Sequence, residues 1–156
     1  VRGPRSLAVS GQVAAGTILA EPSTPEYVRT ALEQIAAPGR PPLVTYNVAA
    51  VDDDASAALA AVRPSLQWVG EPDAAPHLEP LPFRDELAAL RASCADRTEF
   101  VERLPAEWVR QLALAGTPDE VRGRLAALAD AGATSAVLVP VGDDPLQVLT
   151  SLARVL

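Results

Sequence analysis

The sequence repeats one local pattern three times: a short apolar strand, a polar turn and an amphipathic helix. The strands are predicted at Thr17–Ala20, Leu43–Val51 and Ser135–Val141. Parallel strands need a crossover connection, and a helix after each strand provides it. The order of elements therefore predicts an α/β fold with a parallel sheet that is covered by helices.

The helices of this pattern carry start and stop signals. The clearest one runs from Thr117 to Ala131, because Thr117 and Glu120 form a capping box and Gly132 is a natural stop. The other helices of the pattern are predicted from Pro25 to about Ala37, from the capping run Asp52–Asp54 to near Pro64, and from Pro145 toward Leu156.

Three strands cannot close a barrel, and an open sheet would leave long edges unpaired. We therefore predict the C-terminal part of a (β/α)8 TIM barrel, with an open doubly wound sheet as the alternative. The proline-rich stretch at about 64–104 breaks the pattern and is predicted to be an insertion whose clearest helix is Arg84–Ser93. Since no strand precedes residue 1 and no initiator methionine is present, we expect residues 1–156 to belong to a longer protein.

A candidate anion site lies at the start of the sequence. Gly3 suits the N-cap of a helix and Pro4 suits its first position, where the missing N–H would be unpaired anyway. The free N–H groups of that first turn carry partial positive charge and can hold a phosphate. Arg2 and Arg5 add full positive charges on either side.

Composition excludes several classes of function. A net charge of −7 is the opposite of what a nucleic-acid surface requires. No apolar run approaches the roughly 20 residues of a membrane span. A single cysteine, Cys94, excludes an internal disulfide and fits a reducing compartment, so we expect a soluble, cytoplasmic protein.

Two blocks of the sequence have a distinctive order of glycine, proline and apolar residues. The first consists of Gly3–Ala8, Gly11 and Ala15–Leu19, and the second of Ala115–Val121, Ala129–Ala133 and Val137–Pro140. Together they resemble the bacterial luciferase-like monooxygenases, in particular the deazaflavin-dependent (coenzyme F420) oxidoreductase branch. The chain resembles the C-terminal portion of that barrel.

The resemblance implies an oxidoreductase or monooxygenase whose cofactor is FMN or the deazaflavin coenzyme F420. By position, Arg2, Gly3 and Pro4 correspond to the family's phosphate loop, and Ile18 to the residue that packs near the ring system. Catalytic residues of the family come mostly from early strands, so they stay unassigned here and we expect these residues alone to be inactive. A small-molecule substrate and a homo-oligomer in the complete enzyme are also expected.

Other polar residues have structural interpretations. Glu21 follows a strand, where barrel enzymes place functional groups, but an acidic residue in such a turn is more often solvated. Strand alternation predicts that Val44, Tyr46 and Val48 lie under the helices and that Asn47 points into the barrel. His77 is expected to be a solvated loop residue, and no metal site is expected.

Two alternatives use the same features. One is a (β/α)8 lyase or isomerase that binds a phosphorylated small molecule at the helix start formed by Gly3 and Pro4. The other is a non-catalytic fragment whose open sheet edge pairs with a partner chain.

Overall fold

The computed structural model describes all of residues 1–156, as an α/β arrangement of four strands and nine helices. The strands are β1 Thr17–Leu19, β2 Leu43–Val51, β3 Leu114–Gly116 and β4 Ser135–Pro140. The helices are α1 Pro4–Val13, α2 Pro25–Ile35, α3 Ala55–Val62, α4 Ala75–Leu78, α5 Arg84–Ser93, α6 Arg97–Arg103, α7 Ala106–Leu112, α8 Pro118–Ala131 and α9 Pro145–Leu152. None of the helices combines the length and the apolar composition that a membrane span requires.

All strand pairs are parallel, as predicted, and β2 lies at the centre of the sheet. The first residues of β2 pair with β1, beginning with Leu43 against Thr17. On its opposite edge, residues Val44–Ala49 of β2 pair with β4. The last residues of β2 pair with β3, a three-residue strand that the sequence pattern does not predict. Because the strands are parallel, their carboxyl ends lie at one edge of the sheet.

The two faces of the sheet have different environments. On one face, Leu19, Leu43 and Ala49 are buried in a core that also contains apolar side chains of α2 and α8. On the other face, Ile18 is 56% exposed and Val44 and Tyr46 are only half-buried. Helices therefore cover one face of this part of the sheet and leave the other open.

The prediction for Asn47 is wrong, because the two faces of β2 are the reverse of those expected. Asn47 is 2% exposed and lies on the helix side, where its Oδ1 accepts a hydrogen bond from the backbone N–H of Ser23 at 2.9 Å. The prediction assumed that the more apolar face lies under helices. Barrel interiors are also lined by branched apolar residues, so polarity does not distinguish the faces.

Gly11 allows α1 to pack directly on the end of α2. A Cβ atom added at Gly11 would lie 1.8 Å from the carbonyl oxygen of Ile35, which no side chain could tolerate. Leu7 of α1 is fully buried in the same core as α2. This contact holds α1 against α2, and backbone hydrogen bonds of Val1 with Ile18 and Ala20 place the start of α1 at the carboxyl edge of the sheet.

A helical excursion follows α3 and covers the carboxyl end of the sheet's second face. It contains two 3₁₀ turns, at Arg63–Trp68 and Pro72–Ala74, and the helices α4 to α7, of which only α5 is predicted from the sequence. Its apolar side chains share a core with Val48 and Ala50 of β2. The excursion is therefore packed against the barrel strands.

The capping box of α8 is present, and its contribution to stability can be measured. The Thr117 Oγ1 accepts from the Glu120 N–H at 3.4 Å, and the Glu120 carboxylate accepts from the Thr117 N–H at 2.7 Å. We expect Thr117→Ala to lower the unfolding free energy by about 1 kcal/mol in urea melts. Thr98→Ala, at an exposed position within α6, is the matched control and should stay within about 0.5 kcal/mol of wild type. Equal midpoints for the two variants would show that the cap contributes nothing.

Candidate functional site

A cavity of about 410 Å³ lies at the carboxyl end of the strands, between the sheet and the helical excursion. On the sheet side it is lined by Arg2, Glu21 and Pro22, with Val48 of β2 near its base. The opposite wall comes from the excursion, and its residues run from Ser65 to Ala74 together with Arg97. Parallel barrels place their active sites at this edge of the sheet, so the cavity is the candidate site.

The start of α1 directly follows Arg2, which belongs to the cavity wall, and it is open. Gly3 is the N-cap and no side chain caps the helix, so the first N–H groups have no intrahelical partner. A Cβ atom added at Gly3 would find nothing within 4 Å, so the space beside this backbone is free. Arg2 lines the cavity directly. The first turn of α1 can therefore accept an anion beside Arg2.

Hydrogen bonds hold the segment before α1 against its neighbours. The Tyr27 hydroxyl donates to the Arg2 carbonyl at 2.7 Å, and the nitrogen of Val1 donates to the Ile18 carbonyl at 2.8 Å. Burial raises the pKa of Tyr27 to about 12, so this hydroxyl keeps its proton and acts as a donor at neutral pH. The loop after β1 is fixed as well, because Ser23 binds Asn47.

His77 lies beneath this loop, and the prediction that it is solvated is wrong. It is fully buried, its ring centroid is 4.1 Å from that of Tyr27, and its Nδ1 is 2.9 Å from the Pro22 carbonyl. A carbonyl only accepts, so Nδ1 carries the proton. Burial lowers the pKa of His77 to about 4 against the opposing Pro22 contact, and the charge of Arg2 adds to the lowering.

The far wall of the cavity is held by an ion-pair network. The Glu71 carboxylate accepts from Arg91 at 3.2 Å and from Arg97 at 3.0 Å, and these bonds lower its pKa. The Arg97 guanidinium also lies over the Trp68 ring, 3.6 Å from its centroid. The wall therefore presents fixed charges and an aromatic surface to the cavity.

The residues predicted to bind a cofactor fall into two places. Arg2, Gly3 and Pro4 form the open start of α1, and Arg2 also lines the cavity. The Ile18 side chain lies on the open face of the sheet, in register with Val44. Glu21 is exposed and lines the cavity. The roles of Tyr27, Glu71 and Arg97 are not predictable from the sequence motifs, because they depend on contacts between segments distant in sequence.

Other candidate residues have structural surroundings. Asp54 caps α3, as predicted, by accepting from the Ser56 N–H at 2.8 Å. Cys94 is buried at the end of α5, where its thiol donates to the Leu90 carbonyl. No group of three or more His, Cys, Asp or Glu side chains is arranged to hold a metal ion.

Comparison with known proteins gives one family match and several structural matches. The model of a family described as luciferase-like monooxygenase matches residues 1–135. A search of curated proteins found no match.

Three solved structures have a similar fold. The coenzyme F420 dependent tetrahydromethanopterin reductase from Methanopyrus kandleri is 19% identical with a TM-score of 0.72, covering 97% of this chain and 47% of that one. Apo-MsnO8 is 19% identical with a TM-score of 0.62, covering 99% and 48%. The oxygenating constituent of 3,6-diketocamphane monooxygenase from Pseudomonas putida, in complex with FMN, is 18% identical with a TM-score of 0.56, covering 96% and 43%. The chain thus spans about half the length of these proteins.

The buried neutral His77 should make stability depend on pH. Between its ordinary pKa of 6.5 and the folded value of about 4, the unfolded chain binds a proton that the folded protein excludes. His77 therefore lowers the unfolding free energy as pH falls through this range, by about 3 kcal/mol in total. Urea melts of wild type and His77→Gln at pH 7 and pH 4 test this. The acidic groups titrate in both proteins, so their contribution cancels in the difference between the two unfolding free energies. The unfolding free energy of His77→Gln relative to that of wild type should be higher at pH 4 than at pH 7. A difference that does not change with pH would contradict the claim that His77 is buried and neutral.

Proposed function

The chain belongs to the luciferase-like monooxygenase family, as its sequence motifs predicted, and we propose that it supplies the cofactor-phosphate site of a flavin- or deazaflavin-dependent oxidoreductase. Members of this family are oxidoreductases and monooxygenases that act on small molecules. The proposal goes beyond family membership in assigning the phosphate to particular backbone groups of this chain.

The open start of α1 carries the proposal. Its N–H groups and the charge of Arg2 suit a phosphate, and the free space beside Gly3 is a cradle that a larger side chain would fill. The helices α2, α3, α8 and α9 each begin with a Thr or Asp side chain that occupies their free N–H groups. The residues present therefore fit a phosphorylated cofactor at the phosphate loop, Arg2–Pro4.

FMN and coenzyme F420 are the candidate cofactors. One structural relative is described as coenzyme F420 dependent and another is in complex with FMN. Both cofactors join a flat ring system to a phosphate through a flexible polyol chain. The neighbouring cavity, at about 410 Å³, has the size typical of small-molecule sites.

In this proposal each part of the chain has a separate task. The phosphate loop binds and orients the cofactor, and Ile18 packs near its ring from the open face of the sheet. The excursion shields the carboxyl edge from water through its packed helices. When bound, the ring supplies hydride transfer or oxygen activation, and the protein's part is to position it. No catalytic residue is assigned within this chain.

We further propose that residues 1–156 form the C-terminal portion of a luciferase-like barrel, with the insertion at about 64–104. The open face around Ile18 and Val44 supports this, because barrel strands normally bury that face against other strands. The remaining strands would cover this face, complete the ring site and contribute the catalytic groups. We expect the complete enzyme to be a homo-oligomer.

The proposal predicts that the complete enzyme distinguishes a phosphorylated cofactor from its dephosphorylated form. Fluorescence titrations should show tighter binding of FMN than of riboflavin, and the same preference should hold for coenzyme F420 over its dephosphorylated ring system. Gly3→Val should remove most of this preference, because the branched side chain occupies the space through which the phosphate approaches.

Two comparisons separate loss of the phosphate site from loss of the fold or of a nearby charge. Gly3 has an extended backbone, with φ of −101°, and free surroundings, so Gly3→Val should melt like wild type. Arg5→Ala is the comparison variant and should weaken FMN binding less, because a solvated charge contributes little beside oriented N–H groups. Equal affinity of wild type for FMN and riboflavin would reject the phosphate site. Binding of a sugar phosphate without either cofactor would favour the lyase or isomerase alternative.

A further inference from the structure

We propose that Tyr27 is a positioning residue, whose hydroxyl aims the Gly3 N–H group of the phosphate loop at the bound phosphate. The inference rests on the proposed function, because it concerns how that site is held ready. Neither the sequence motifs nor the family match assigns a role to Tyr27, which belongs to α2 and not to the phosphate loop itself.

The Arg2–Gly3 peptide group is oriented by Tyr27. The Tyr27 hydroxyl donates to the Arg2 carbonyl at 2.7 Å, so this carbonyl points toward α2. In a planar trans peptide the C=O and the following N–H point in opposite directions. The Gly3 N–H belongs to the same peptide group as the Arg2 carbonyl. It is therefore turned away from α2, on the side that leaves it free for a ligand.

The next positions of α1 make this first donor important. Pro4 has no N–H, so the donors available at the helix start are those of Gly3, Arg5 and Ser6. The Ser6 hydroxyl donates to the Gly3 carbonyl at 2.9 Å and thereby holds the Gly3–Pro4 peptide group. Tyr27 and Ser6 thus hold the two peptide groups on either side of the Gly3 Cα.

Tyr27 itself has little freedom to move. It is 1% exposed, and its ring contacts the ring of the fully buried His77. His77 is tied in turn to the Pro22 carbonyl, and it follows the 3₁₀ turn Pro72–Ala74 that lines the cavity. The two rings therefore connect the cavity wall to the phosphate loop, and an ordered donor avoids the entropy cost of fixing a mobile one on binding.

The test replaces only the hydroxyl group. In Tyr27→Phe we expect FMN affinity to fall about five- to tenfold while riboflavin affinity stays unchanged, since the loss of one oriented hydrogen bond affects the phosphate alone. Thr150→Val is the matched control, because it removes an exposed hydroxyl that donates to another backbone carbonyl, that of Leu146 at 2.8 Å, in α9 and outside the cavity lining. It should bind both ligands like wild type. Thermal melts of both variants report whether the fold is retained.

A second readout needs no ligand. In the free protein, the ¹⁵N NMR signal of the Gly3 amide should shift in Tyr27→Phe and not in Thr150→Val, because only Tyr27→Phe removes the hydrogen bond to the Arg2–Gly3 peptide group.

The outcomes separate this inference from the proposed function. If wild type prefers FMN and Tyr27→Phe keeps that preference with an unshifted Gly3 amide, Tyr27 does not position the loop, although the phosphate site stands. If Tyr27→Phe loses both ligands equally, its role is general stability and the inference fails. If wild type shows no preference for FMN, both proposals fail.

Discussion

The pairing of β1 and β4 on opposite edges of β2 is the constraint on which the rest of this structure depends. Parallel pairing brings the carboxyl ends of the strands to one edge, and it requires crossover helices that pack on the sheet. The loop after β1, the start of α1 and the excursion after α3 all meet at that edge. The candidate site is thus a consequence of strand direction.

Buried polar contacts then convert this rough placement into a defined geometry. Asn47 reaches from β2 to the backbone of Ser23, His77 reaches from the excursion to Pro22, and Tyr27 reaches from α2 to Arg2. Each contact joins segments that are more than twenty residues apart. Because each of these side chains is almost completely buried, a lost partner would leave an unsatisfied polar group, and this cost favours a single arrangement.

Local signals in the sequence predicted local structure well. The Thr117–Glu120 capping box, the Pro25 helix start and the β2 strand lie where the sequence places them, because caps and alternation act over a few residues. The surroundings of His77 and Tyr27 could not be predicted, since they come from contacts across the fold. The faces of β2 were assigned in reverse, because both sides of a barrel strand are apolar. The short strand β3 offers too few residues for any periodicity to show.

The central claim is that backbone N–H groups at the start of α1 hold the phosphate of the cofactor. A crystal structure of the complete enzyme with bound FMN tests this most directly. The account predicts phosphate oxygens at roughly 2.7–3.2 Å from the backbone nitrogens of Arg5 and Ser6, with the Gly3 N–H also directed at the phosphate. A phosphate held elsewhere, for example against Arg97 on the far wall of the cavity, would contradict it.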